Sequence, residues 1–138
     1  MAYLVNEDYE LGCKDSTQAD VDLSGCMPSC FTPTKATNLK AGGKNVLTGL
    51  TITVTAATGS ITTSLIDGST VTFVSASGSI QGNATKVKSG GSAVCLDGED
   101  GSTGTLTVVG TNTQSGVTVT EPCKIWFSDA GQDKASGK

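Results

Sequence analysis

A twelve-residue phrase occurs twice in this 138-residue chain, 48 positions apart: Ala36-Thr-Asn-Leu-Lys-Ala-Gly-Gly-Lys-Asn-Val-Leu47 and Ala84-Thr-Lys-Val-Lys-Ser-Gly-Gly-Ser-Ala-Val-Cys95. Six of the twelve positions are identical. In each copy an apolar residue (Leu39, Val87) precedes a Gly-Gly pair (Gly42-Gly43, Gly90-Gly91), and a second apolar residue (Val46, Val94) follows it. Glycine reaches positive φ without strain, so the pair marks a sharp reversal between two extended arms, a β-turn-β corner. Each corner is too small to bury its apolar residues alone, and two copies imply strands wound around a common core.

The rest of the chain is patterned for strands. Thr51-Ile-Thr-Val-Thr55, Thr70-Val-Thr-Phe73 and Val117-Thr-Val-Thr120 alternate with period two, and Gly104-Thr-Leu-Thr-Val-Val109 and Lys124-Ile-Trp-Phe127 are further candidates. Gly59-Ser60-Ile61 recurs as Gly78-Ser79-Ile80; Asp67-Gly68, Asp97-Gly98 and Gly101 mark turns. No segment carries a 3.6-residue apolar stripe. The expectation is an all-β fold, a small pseudo-repeat β prism or cone of eight or more short strands with almost no helix. A third side of the prism is expected from Ser60 to Phe73, and Trp126 is expected as a plug or lid of the core.

Three regions follow from composition. Residues 1–33 hold six carboxylates (Glu7, Asp8, Glu10, Asp15, Asp20, Asp22) against Lys14, with three of the five cysteines. They read as an irregular acidic N-terminal arm, solvated or pinned to the body through its cysteines. Residues 34–128 form the β repeat domain, and 129–138 a flexible tail.

Missing residue types exclude several functions. Val, Ile, Leu and Phe supply only 29 residues, so the core is thin and needs sheet closure, a partner, a metal or disulfides to support it. There is no histidine, which removes the usual general base near neutral pH, so the chain reads as non-enzymatic. Arginine is also absent and the net charge is −4, which argues against nucleic acid. Met1 to Val5 runs directly into Asn6-Glu7-Asp8 without the form of a signal peptide, so synthesis in the cytoplasm is expected. Asn83-Ala84-Thr85 then reads as a chance match to the glycan acceptor pattern, and Asp97-Gly-Glu-Asp-Gly101 as an exposed acidic turn rather than a calcium loop.

In a reducing compartment five cysteines read as thiols or metal ligands. Cys26-Met-Pro-Ser-Cys30 has a spacing found in zinc-binding pairs; with Cys95 and Cys123 it could complete a tetrahedral thiolate site for one structural Zn, or Fe, with Cys13 as a substitute ligand. Cys95, which stands where the first copy has Leu47, reads first as an ordinary core thiol, ahead of a metal ligand or a disulfide partner.

The phrases Leu39 to Val46 and Val87 to Val94 resemble the corners of PAAR-repeat and PAAR-like proteins, which sharpen the tips of contractile injection machines and phage tails. The Pro-Ala-Ala-Arg motif and the zinc-binding histidines of typical members are absent. The resemblance implies a structural tip, one copy per particle, capping the apex of a trimeric β-helical spike and meeting a membrane only while piercing it. It would be assembled in the cytoplasm and end outside the cell or in the target envelope. The alternatives are a phage or sheath decoration or tail-associated β protein, and an exported adhesin-like binding domain.

Overall fold

The computed structural model describes residues 2–15, 20, 21, 23, 25–55, 61–64, 70–112 and 114–132, without the side chains of 61–64 and 70–74. The expected turn at Asp67-Gly68 and the residues Gly59, Ser60, Asp22 and 133–138 lie outside that description. The described residues are all-β, with one turn of 3-10 helix at Pro28–Cys30. The strands are β1 (Glu10–Lys14), β2 (Phe31–Ala41), β3 (Lys44–Val54), β4 (Ile61–Ser64), β5 (Thr70–Gln81), β6 (Lys88–Ser89), β7 (Ser92–Ala93), β8 (Thr103–Asn112) and β9 (Thr118–Asp129). Five of them run 10 to 12 residues, longer than the short strands expected from the turn signals.

One antiparallel sheet in the order β1-β9-β8-β5-β3-β2 contains most of these strands. β4 pairs with the first residues of β5 (Ile61↔Phe73 to Ser64↔Thr70), beyond the point where β3 leaves it at Val54↔Ala76. Residues 61–64 and 70–73 thus extend the main sheet. The threonine-rich alternation fixes which face is buried, because a one-residue slip would exchange the two faces. On β3, Leu50, Ile52 and Val54 are buried while Thr51 and Thr53 are exposed; on β8, Leu106 and Val108 are buried beside exposed Thr105 and Thr107.

Across the buried face, large residues stand opposite small ones. Ile52 pairs with Gly78, Gly78 with Leu106, and Leu106 with Cys123; Ile80 pairs with Gly104, and Gly104 with Ile125. A methyl on Gly78 would strike the Thr105 carbonyl, and one on Gly104 the Ser79 carbonyl. These glycines let β5 and β8 approach where any side chain would force them apart. With Val5, Leu47, Cys13, Cys30, Cys95, Phe127 and Ala130, these side chains form the main core.

The repeated phrases form equivalent hairpins. In the first, Lys40↔Asn45 and Ala41↔Lys44 flank Gly42 and Gly43, with φ of 63° and 82°. In the second, Lys88↔Ala93 and Ser89↔Ser92 flank Gly90 and Gly91, with φ of 58° and 85°. Both positive angles are those of the two-residue reversal that matches strand twist. Ala36, Ala41 and Val46 of one copy meet Ala84 and Val94 of the other in a second core, completed by Leu4 and Leu96, with Leu39 and Val87 packed on it.

The N-terminal segment is part of this body. Leu4, Val5, Asn6, Cys13, Asp15 and Val21 are buried, and β1 forms one edge of the main sheet. Two of the acids are held to the first hairpin's strands, Glu7 by Lys35 of β2 and Asp8 by Lys44 of β3 at 3.5 Å. Composition suggested an arm because it counts carboxylates without their partners. Residues 129–132 also belong to this body: Asp129 ends β9, Ala130 is 1% exposed, and Gln132 Nε2 donates to the Leu4 carbonyl at 2.8 Å.

The glycines separate two mechanisms by experiment. Nothing lies within 4 Å of a Cβ added at Gly43 or Gly91, so Gly43→Ala and Gly91→Ala test backbone strain alone. Each should cost about 1–2 kcal/mol in urea unfolding, equally in both copies. Gly78→Ala meets backbone instead and should cost more, about 3 kcal/mol or above.

Candidate functional site

Three main-chain segments meet in a closed ring where the two hairpins leave their turns. Leu47 N–H donates to the Val5 carbonyl (2.9 Å), Val5 N–H to the Cys95 carbonyl (3.0 Å), and Cys95 N–H to the Leu47 carbonyl (2.8 Å). All three residues are 0% exposed. Leu47 and Cys95 are the last positions of the two repeats, so equivalent residues take equivalent places in the ring. The bridges beside it follow one rule: Leu4, before Val5, faces Leu96, after Cys95; Val46, before Leu47, faces Asn6, after Val5. On the remaining side the Thr48 carbonyl accepts from Gly82 N–H (3.0 Å). The third member of the arrangement is therefore Tyr3 to Asn6, where the sequence pointed to Ser60 to Phe73.

Buried polar groups lock this end. Asn6 Nδ2 donates to the Ala41 carbonyl (2.9 Å), its Oδ1 accepts from Asp8 N–H (2.8 Å), and its own N–H donates to Ala130 (2.9 Å). One fully buried side chain thus joins the first hairpin to both chain ends. Ser102, also 0% exposed, donates from Oγ to Asn83 Oδ1 (2.7 Å) and accepts from Leu96 N–H (2.8 Å). Asp97 serves as a tie, its Oδ1 accepting from Tyr3 N–H at 2.8 Å, and Glu99 pairs with Lys14 at 3.3 Å, so the acidic turn is used in packing. Sequence reasoning missed Val5 and Asn6. Their only signal was the apolar pair Leu4-Val5 ahead of the charges.

The cysteines divide into two groups, and all five are reduced. Cys13 on β1 and Cys123 on β9 hydrogen-bond through their thiols, and Cys26 and Asp15 stand near enough for their charges to act on Cys13. The bond to Cys123, followed by burial, pushes the Cys13 thiol far above its ordinary range. Cys123 Sγ in turn lies 3.9 Å from the Glu121 carbonyl. Cys95 belongs to the ring; burial pushes its thiol up to about 12, and a hydrogen bond with Ser102 partly opposes that. Cys30 is buried in the main core. The four expected ligands, Cys26, Cys30, Cys95 and Cys123, are not gathered as one thiolate group: among the described residues no three His, Cys, Asp or Glu side chains could hold a metal ion. The nearest approach to a cluster is Cys13, Cys26 and Cys123, built by the β1–β9 pairing.

Beside the thiols lies a cleft of about 730 Å³, lined by Tyr9, Leu11, Cys13, Cys26, Phe31 and Trp126 among others. The Tyr9 ring meets Phe127 edge to face at 5.4 Å, and burial raises its hydroxyl pKa. Trp126 is buried, at 9% exposure, outside the two clustered cores. It lies on the opposite face of β9 from Phe127, across Gly12, where any Cβ would collide with the indole. The Lys14 and Lys124 ammonium groups flank the ring at 5.6 and 5.9 Å.

No family model, curated protein or solved structure matches the chain.

Two outcomes follow from the buried groups. A thiol neutral when folded and ionised when unfolded lowers stability as pH rises above its unfolded pKa, near 9, until the folded value near 12 is reached. Each such thiol should remove roughly 1.4 kcal/mol per pH unit in that window, and Cys95→Ala should flatten the slope measured by urea unfolding. Asn6→Leu, which leaves the Ala41 carbonyl and Asp8 N–H unsatisfied, should cost about 2–4 kcal/mol in the same assay.

Proposed function

We propose that this chain is a structural, non-enzymatic tip that caps the apex of a trimeric β-helical spike in a contractile injection machine and helps it pierce an envelope. The observation that carries this reading is the cyclic ring of Val5, Leu47 and Cys95. A single chain that must sit on three identical subunits needs three similar main-chain directions around one point, and the ring supplies them from three distant parts of the sequence. The two hairpins flanking it turn tightly on paired glycines and are held by a shared apolar core, which suits a small point that must resist shear. The taper expected of a prism or cone belongs to this reading, with the ring at the narrow end. So does the route from cytoplasmic assembly to the outside of the cell, one copy per particle.

The reading assigns no nucleic acid partner and no catalytic group. Nor does it need a metal, since the ring and its clamps are closed by main-chain and amide hydrogen bonds.

Purified spike trimer mixed with the full chain should give a complex of one chain per three spike subunits by mass measurement, and averaged particle images should place one copy at the spike apex. Val5→Pro, which deletes the ring donor, should abolish that complex. Many copies spread along a particle would replace this reading with that of a decoration protein, and binding to cell-surface glycans without any spike contact with that of an exported adhesin-like domain.

A further inference from the structure

We propose that the cleft beside β1 binds a small organic cation, an ammonium group carried on an apolar or aromatic body. The cleft forms where the chain after β1 folds back along it. Lys14 faces Asp20 in a bridge, Val21 N–H donates to the Cys13 carbonyl (2.9 Å), and the chain then continues through Cys26 to Phe31 at the start of β2. Its volume of about 730 Å³ lies within the range of small-molecule sites. Tyr9, Leu11, Leu23 and Phe31 pack on the main core with part of their surface and line the cleft with the rest. The Trp126 indole joins them because Gly12 leaves room for it to lie across β1.

The sign of the ligand follows from the charged groups on the wall. Glu7, Glu10 and Asp20 line the cleft, and among the described residues no lysine does. The chain has no arginine, and residues 15–34 contain no lysine, so the folded-back segment contributes carboxylates alone. Lys35 pairs with Glu7, and Glu10 makes no ion pair among the described residues. Lys14 and Lys124 stand on the indole but not on the cleft wall, and Lys14 is paired with Glu99.

An anion would therefore meet like charge. A metal ion would meet no cluster of three ligating side chains among the described residues. An organic cation gains from both parts of the wall, because its charge is favoured over aromatic faces and near carboxylates while its body covers apolar surface. This inference does not depend on the tip reading, and its test involves no spike protein.

Trp126 is the single tryptophan of the chain and lines the cleft, so its fluorescence reports occupancy. The full chain is titrated at low salt with phenethylamine, which is a cation at neutral pH, with phenethyl alcohol and with phenylacetate, which share an aromatic body and differ in charge. The amine should give a saturable change with a dissociation constant of about 1 mM or below, the alcohol should bind about fivefold or more weakly, and the acid should not bind. Glu10→Gln should weaken the amine about three- to fivefold and leave the alcohol unchanged. Asp100→Asn, which alters an exposed acid away from the cleft, should change neither. Equal affinity for the amine and either analogue, no saturable change up to about 10 mM amine, or equal weakening by the two substitutions would overturn the inference.

Discussion

Leu47, Val5 and Cys95 hold one another through main-chain atoms alone, and each takes part in two hydrogen bonds of the same cycle. Because all three are fully buried, withdrawing any one leaves a donor and an acceptor on the other two without water to replace it. The cycle therefore forms as a unit. It also has a high entropic cost, since its members are separated by 42 and 48 residues and each closure must be made before the next gains from it. What offsets that cost lies on either side. The hairpins are preset by glycine pairs whose positive angles are nearly the same in both copies, and Asn6 fastens the third segment to the first hairpin and to Ala130. The smaller core then fills the space between the hairpins.

A thin supply of large apolar residues is enough for the main sheet because of how they are placed. Ile52 and Leu106 both face Gly78, and Ile80 and Ile125 both face Gly104, so each large side chain expands into the volume its neighbour leaves. Matching large to small in this way reaches interior packing density with few heavy side chains. The outer face is threonine, which suits a pleated strand and needs no cover. The glycines have a second role, since they let β5 and β8 come together more closely than any alanine would allow.

The strands were legible where one face meets the core and the other meets solvent. Thr51 to Thr55 and Gly104 to Val109 show this plainly, as their alternation in sequence is the alternation in burial. The hairpins were legible because two successive positive angles favour few residue pairs, Gly-Gly among them, so the turn is written in the sequence. The ring was half legible. Its two repeat members share a phrase, but Val5 has no copy of that phrase and lies among carboxylates whose lysine partners, Lys35 and Lys44, are some thirty residues away. Likewise the Cys26-to-Cys30 spacing carries no sign of the Cys13–Cys123 neighbours. The thiols that touch are 110 residues apart, and only the β1–β9 register brings them together.

The ring is threefold in its hydrogen bonds but not in its side chains or its flanks. Its members are a valine, a leucine and a cysteine, and the Thr48 side is closed by Gly82 where the other two sides carry paired bridges. On the tip reading this asymmetry has a use. A chain with three identical faces could seat on a trimer in three equivalent ways, and every flanking contact would have to suit all three. Here the main-chain directions repeat while the surroundings differ, and because the ring itself is buried a symmetric partner would meet the strands that extend from it, with the flanks left to internal ties. Those ties are where the unlike residues sit: Asn6 and Gln132 at one side, Ser102 with Asn83 at another. On that reading the pattern separates what would be repeated for a threefold neighbour from what must be unique for one chain to fold.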